Sequence, residues 1–72
     1  MRQRFLRAAR HRIRWTAQEL ADKASMPEHR YWKIETGRVA PTEEEQARLS
    51  DALGFRREML FPDFAERAEV GT

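Results

Sequence analysis

Cysteine is absent from the 72-residue sequence, and glycine and proline occur only three times each. Without cysteine the chain has no disulfide bonds and no thiolate ligands for a metal ion. The two histidines lie 18 residues apart, and no ligand pattern surrounds them. We therefore predict neither a structural zinc ion nor any other cofactor.

Long hydrophobic runs are also missing. No uncharged run approaches the roughly 18 residues of a membrane span, and the arginine-rich N-terminus lacks the apolar stretch of a signal peptide. We expect a soluble cytoplasmic protein without membrane contact. An enzyme is the least favoured class, because the sequence shows no nucleophile paired with a base, no paired carboxylates and no glycine-rich phosphate loop.

The charges are sorted along the chain. Residues 1–41 carry ten arginines or lysines and four acids, giving +6, whereas residues 42–72 carry four against eight, giving −4. This asymmetry predicts a basic face that meets a polyanion and an acidic side turned away from it. The chain length indicates one domain, residues 1–72, with a small core that a second copy would help to stabilise.

Helical signals begin near the N-terminus. From Phe5 to Ile13 the apolar residues recur on one face at about 100° per residue, which predicts a first helix. In W-T-A-Q-E-L-A-D-K-A, Thr16 and Glu19 have the spacing of a capping box. Trp15 and Leu20 flank this box as a hydrophobic staple, so a second helix is predicted to start here.

The rest of the sequence predicts three more helices and no strand. Ser25-Met26-Pro27 ends the second helix, and a third runs from there to Thr36, with Gly37 as its left-handed cap. A second capping box, Thr42 with Glu45, opens a fourth helix that Gly54 ends. A short last helix covers residues 57–61 and is followed by Pro62 and a tail, so the C-terminal region comprises residues 56–72.

The order of residue types is more specific than the helix count. T-A-Q-E-L-A, then S-M-P, then Y-W-K-I-E-T-G-R-V-A-P resembles the helix-turn-helix pattern of the Cro/repressor (lambda-repressor-like, XRE-type) DNA-binding family. The resemblance extends from about Leu6 to Phe61. It implies an all-α, compact five-helix bundle in which residues 16–36 form the helix-turn-helix unit and the third helix enters the major groove.

The resemblance also implies roles for individual residues. Members of the family hold an arginine of the first helix against the glutamate of I-E, which corresponds here to a structural salt bridge between Arg10 and Glu35. Other residues match core positions of the family, namely Leu20, Ala21, Met26, Tyr31 and Ile34.

The third helix has a mixed polar face. Measured from Glu28, Trp32 lies at about 40°, His29 at about 100° and Lys33 at about 140° around the helix axis. In this family such a face looks into the groove, where an acid accepts from cytosine and a histidine or lysine donates to guanine. Phosphate contacts are expected from Arg14, Thr16 and Arg38. Arg30, at about 200°, is better placed for a phosphate or a contact with the second helix than for a base.

The sequence departs from the family pattern at four positions. Ala17 replaces a glutamine that often touches DNA, Ser25 replaces the turn glycine, and Pro27 replaces the usual cap, leaving Ser25 as a substitute cap. Trp32 stands where the family has a small or polar residue. It is a groove residue, an anchor for a second protein partner, or a core residue packed against Phe61 or Phe64.

Two functions follow from these alternatives. The favoured one is a sequence-specific transcriptional repressor that binds a palindromic site in double-stranded DNA as a homodimer. The other is a protein-binding anti-activator or antitoxin-like module that uses the face of the third helix. For the dimer, the apolar cluster in M-L-F-P-D-F predicts an interface formed by Arg57, Leu60, Phe61 and Phe64.

Overall fold

A computed structural model describes residues 3–62 of the chain. Within this range the protein is all-helical, which confirms the predicted fold class. The five helices are α1 (Arg4–Ile13), α2 (Ala17–Lys23), α3 (Glu28–Glu35), α4 (Glu43–Leu53) and α5 (Arg57–Leu60). The predicted contacts of Phe64 lie outside the described residues.

Both capping boxes form as the sequence predicts. The Thr16 hydroxyl accepts from the amide of Glu19 at 3.1 Å, and the Glu19 carboxylate accepts from the amide of Thr16 at 2.9 Å. Thr42 and Glu45 repeat the arrangement at the start of α4. Each box satisfies two amides that the first turn of a helix leaves without partners, so these two helix starts are encoded locally.

The ends of the helices depend on left-handed residues. Gly54 caps α4 with φ 75°, and Gly37 follows α3 with φ 79°, both as expected. Arg14 after α1 and Ser25 between α2 and α3 adopt the same region with φ 65° and 57°. Ser25 therefore does not cap α3. Pro27 occupies the N-cap position without a side-chain hydrogen bond, which corrects the expectation that Ser25 caps this helix.

The core lies between the five helices, and each helix contributes at least one buried apolar side chain. Its largest fully buried side chains are Tyr31, Phe61, Leu6, Leu20, Ile34, Leu49 and Leu60. Packing joins α2 to α3 and α4, α1 to α3, α4 and α5, and α4 to α5. Because α2 and α4 hold one side of α3 and α1 holds its C-terminal part, the remaining face of α3 is left open.

Two residues of the predicted dimer interface belong to this core. Leu60 is 2% exposed and Phe61 is fully buried, so neither side chain can contact a second copy. The sequence expectation was wrong here because α5 is a single turn pressed against both α1 and α4, and it directs Leu60 and Phe61 inward. Met59 and Phe5 are the apolar side chains left outside, each 58% exposed.

Candidate nucleic-acid interface

An ion pair between α1 and the end of α3 fixes the orientation of α3. Arg10 Nη2 lies 3.0 Å from Glu35 Oε1, and both side chains are more than nine-tenths buried. The Tyr31 hydroxyl donates to the same carboxylate oxygen at 2.6 Å. Arg10 also donates to the Tyr31 hydroxyl and to the carbonyl oxygen of Trp15, each at 3.0 Å.

This network satisfies two buried charges with several hydrogen bonds, which is the condition under which a buried ion pair is tolerated. Burial and the hydrogen bond with Glu35 raise the pKa of Tyr31 above its ordinary value, so the phenol stays protonated and keeps donating. The backbone adds one more tie, because the amide of Gln3 donates to the Glu35 carbonyl at 3.0 Å. The structure thus joins the two residues that the resemblance assigns to a salt bridge.

A second ion pair attaches the outer edge of α3 to α4. Arg30 donates through Nε and Nη2 to the two carboxylate oxygens of Glu45, both at 2.8 Å. This bidentate hydrogen bonding holds the pKa of Glu45 down at about 2. Arg30 was expected to contact a phosphate or the second helix. Its Nε and Nη2 instead bind Glu45 and brace α3 against α4, and the phosphate contact stays a prediction.

The open face of α3 carries the polar residues predicted for it. Glu28, His29 and Lys33 are exposed, while Tyr31, Ile34 and Glu35 face the interior. Such a helix buries one side and presents charged side chains and an imidazole on the other. It is able to lie in the major groove of DNA, where the base edges carry hydrogen-bond donors and acceptors. No hydrogen bond within residues 3–62 engages the side chains of His29 or Lys33.

Trp32 lies at the border of this face. Its indole Nε1 donates to Glu28 Oε2 at 3.2 Å, so the acid and the tryptophan are linked along the helix. The ring contacts Tyr31 edge-on, with centroids 6.0 Å apart, and the Arg10 guanidinium lies 5.6 Å from its centroid. With 40% of its surface exposed, Trp32 is not a core residue of the described structure.

The remaining expected DNA contacts surround α3. Arg14 and Arg38 are exposed, one directly after α1 and the other after α3. Thr16 is exposed at the start of α2, but its hydroxyl already accepts from Glu19, and the Glu19 carboxylate occupies that helix end. The negative charge of Glu19 repels a phosphate at this helix end. Thr16 can therefore contact a phosphate only by donating its hydroxyl proton.

The groove between α1 and α3 was not predicted from the sequence. It has a volume of about 490 Å³ and is lined by Gln3, Arg4, Arg7, Arg10, His11, Trp32, Glu35 and Thr36. On the other side of α1 a smaller apolar cleft of about 160 Å³ is lined by Phe5, Ala8, Ala9, Arg12, Phe55, Met59 and Leu60. Only the packing of distant segments creates these two surfaces.

Other kinds of site find little support in residues 3–62. This part of the chain contains no cluster of three or more side chains able to hold a metal ion. Nor does it contain a helix with the length and apolar character needed to cross a membrane.

Comparison with known proteins gives one match. No curated protein and no solved structure gives a significant match to this chain. The family model described as a helix-turn-helix domain matches residues 4–60, which include all five helices. The buried Arg10–Glu35 pair, the open face of α3 and this match lead to one conclusion: the chain belongs to the helix-turn-helix domain family of the Cro/C1/XRE type.

Proposed function

We propose that this helix-turn-helix domain is a sequence-specific transcriptional regulator, a repressor that places α3 in the major groove of a palindromic operator. The observation that carries the proposal is the exposed face of α3. His29 and Lys33 are free to donate to guanine, and Glu28 accepts from the cytosine amino group. The two ion pairs that fix α3 supply the rigidity on which base reading depends.

The phosphate contacts come from residues around this face. Arg14 and Arg38 are exposed cations on either side of the helix-turn-helix unit, and Thr16 adds a hydroxyl. Such contacts position the protein on the duplex and give affinity, but they carry no sequence information. In this scheme Glu28 reduces non-specific affinity, because its charge repels phosphate whatever the sequence.

A homodimer is part of the proposal, with a revised interface. The exposed side chains of Phe5 and Met59 flank the apolar cleft beside α5. Arg57 lies two residues before Met59 in the chain. A small domain that exposes such a patch gains stability when the patch is covered by a second copy. Two copies related by a two-fold axis present two α3 helices to successive turns of the duplex, about 34 Å apart.

The test is a fluorescence titration of duplex DNA carrying the protein's own upstream region and of a scrambled duplex. Replacing Lys33 by alanine is expected to cost about 1–3 kcal/mol on the matched duplex and little on the scrambled one. Arg38→Ala is expected to weaken both duplexes alike. Identical behaviour of the two variants on both duplexes contradicts the assignment of α3 to the groove.

Trp32 supports a second candidate, a protein-binding anti-activator or antitoxin-like module. A tryptophan with 40% of its surface exposed, tied to an acid, is a favoured anchor of protein interfaces. The same titration separates the two functions. Absence of binding to any duplex at low salt favours the protein partner, because the phosphate contacts of a DNA-binding domain are strongest under that condition.

A further inference from the structure

The exposed basic residues of α1 are not evenly spread around the helix. With about 100° per residue, Arg4, Arg7 and His11 fall within about 60° of one another, and Arg14 follows directly at the C-terminal end. Arg12 lies on a different face, about 100° away from His11. We define Arg4, Arg7, His11 and Arg14 as the basic stripe of α1.

The two surfaces beside α1 show which way the stripe faces. Arg4, Arg7 and His11 line the 490 Å³ groove whose opposite wall is Trp32 and Thr36 of α3 and its C-cap. Arg12 instead lines the apolar cleft beside α5. The stripe therefore lies on the same side of the domain as the exposed face of α3, and Arg12 does not.

The arginines of the stripe have no acidic partner within the described residues, and its His11 side chain contacts only the Arg10 guanidinium, at 3.4 Å. In residues 3–62, Arg4, Arg7 and Arg14 form no ion pair, whereas Arg10, Arg30 and Arg48 do. The only acid lining the groove is Glu35, and its carboxylate is already bound by Arg10 and Tyr31. The groove thus has a net positive charge that nothing in the described structure neutralises.

Helix stability does not explain Arg4. The first turn of α1 contains no acid, and its N-cap, Gln3, makes no capping hydrogen bond with its side chain. Arg4 adds a positive charge at the positive end of the helix dipole, which is unfavourable for the helix. Arg4 destabilises α1 and lines an open groove, so a role in binding an anionic ligand explains it better than a role in the fold.

We propose that the basic stripe of α1 is a second phosphate-binding surface. It holds the backbone of one DNA strand beside the major groove that α3 enters. This inference rests on the proposed function and extends it from the helix-turn-helix unit to α1. From Arg4 to Arg14 the stripe is about 15 Å long at 1.5 Å per residue. One strand presents a phosphate about every 3.4 Å of duplex axis, so the stripe reaches more than one phosphate.

Trp32 and Thr36 gain a role in this arrangement. They line the groove opposite Arg4, Arg7 and His11 and form the wall along which the strand passes. The indole is held by Glu28, Arg10 and Tyr31, so it is a fixed surface rather than a free side chain. The sugar-phosphate backbone can pack against such a surface while its phosphates accept hydrogen bonds from Arg4 and Arg7.

The experiment compares Arg7→Gln with Arg56→Gln and adds the double variant Arg4→Gln/Arg7→Gln. Arg56 is an exposed arginine that lines neither the groove nor the apolar cleft. Affinity for one duplex is measured from 50 to 200 mM salt. Each lost phosphate contact is expected to reduce the slope of log K against log salt by about 0.9. Between 50 and 200 mM salt, the affinity of the wild type is therefore expected to fall roughly tenfold more than the affinity of the double variant. Arg56→Gln is expected to keep the wild-type slope.

Ethylation interference and thermal unfolding separate binding from a structural role. The double variant is expected to lose interference at phosphates that remain sensitive for Arg56→Gln, with an unchanged or slightly raised Tm because a cation leaves the start of α1. Equal slopes for Arg7→Gln and Arg56→Gln, with DNA binding intact, overturn the stripe and leave the proposed function standing. A wild type that binds no duplex at 50 mM salt overturns both.

Discussion

Replacing Glu35 by glutamine tests what holds α3 in place. The substitution keeps the shape and the oxygen that accepts from Tyr31, but it leaves the buried Arg10 guanidinium without its counter-charge. Removing one partner of a buried ion pair costs about 3–5 kcal/mol. A negative charge near the C-terminal end of a helix is unfavourable, so its removal from α3 stabilises the protein by about 0.3–1 kcal/mol. The expected net loss is about 2–5 kcal/mol.

That loss is large for this chain. A domain of this size has a free energy of unfolding of about 4–11 kcal/mol, so Glu35→Gln removes at least about a fifth of it. We expect a drop in Tm of at least about 10 °C, measured by circular dichroism together with urea unfolding. The control is Glu44→Gln, which breaks the exposed ion pair with Arg48 and is expected to cost less than about 1 kcal/mol.

The comparison of the two variants decides the outcome. If Glu35→Gln is within 1 kcal/mol of the wild type, the buried network does not hold the fold and the argument for a rigid α3 fails. A loss of DNA affinity in Glu35→Gln at a temperature where it is fully folded shows, in addition, that the network positions α3. Glu44→Gln is expected to bind DNA as the wild type does.

Three further predictions concern pH, a cap and the dimer. Arg30 lowers the pKa of Glu45 to about 2. The stability that this pair contributes is therefore present above the unfolded pKa of about 4.3 and is lost as pH falls towards 2. In acid unfolding, Glu45→Gln is expected to lack this loss of stability between about pH 4.3 and about pH 2. Gly54→Ala is expected to cost about 1 kcal/mol in urea unfolding, because φ is 75° while no atom lies within 4 Å of the added Cβ; a neutral result contradicts the left-handed cap. In sedimentation, Met59→Asp is expected to yield folded monomers whose Tm no longer depends on protein concentration. Leu60→Ala instead costs about 2–5 kcal/mol because Leu60 is buried. A dimer that survives Met59→Asp excludes the revised interface.

The sequence predicts those parts of the fold that local chemistry determines. Both capping boxes require only residues three positions apart, and Gly37 and Gly54 stand where left-handed caps are needed. The inward positions of Tyr31 and Ile34 follow from the helical period. Each of these features lies within one turn of a helix, so no knowledge of tertiary packing is required.

Features that join distant segments were beyond the sequence pattern. Arg30 reaches Glu45 only because α3 packs beside the start of α4, and nothing in the spacing of 15 residues predicts this contact. Phe5 lies in the apolar sector of α1, yet it is exposed because α5 is too short to cover it. The same short helix buries Leu60 and Phe61. Packing therefore decides which apolar residues are left for a partner.

The most direct test of the central claim is selection of bound sequences from a random duplex library. The account predicts an enriched palindromic motif with half-sites centred about 10 base pairs apart, since two α3 helices enter successive turns of the major groove. It also predicts that selection with Lys33→Ala loses preference at single positions in each half-site, while Arg38→Ala yields the wild-type motif from fewer molecules. Recovery of no motif by the wild type, or of the same motif by Lys33→Ala, would contradict the claim that the exposed face of α3 reads DNA.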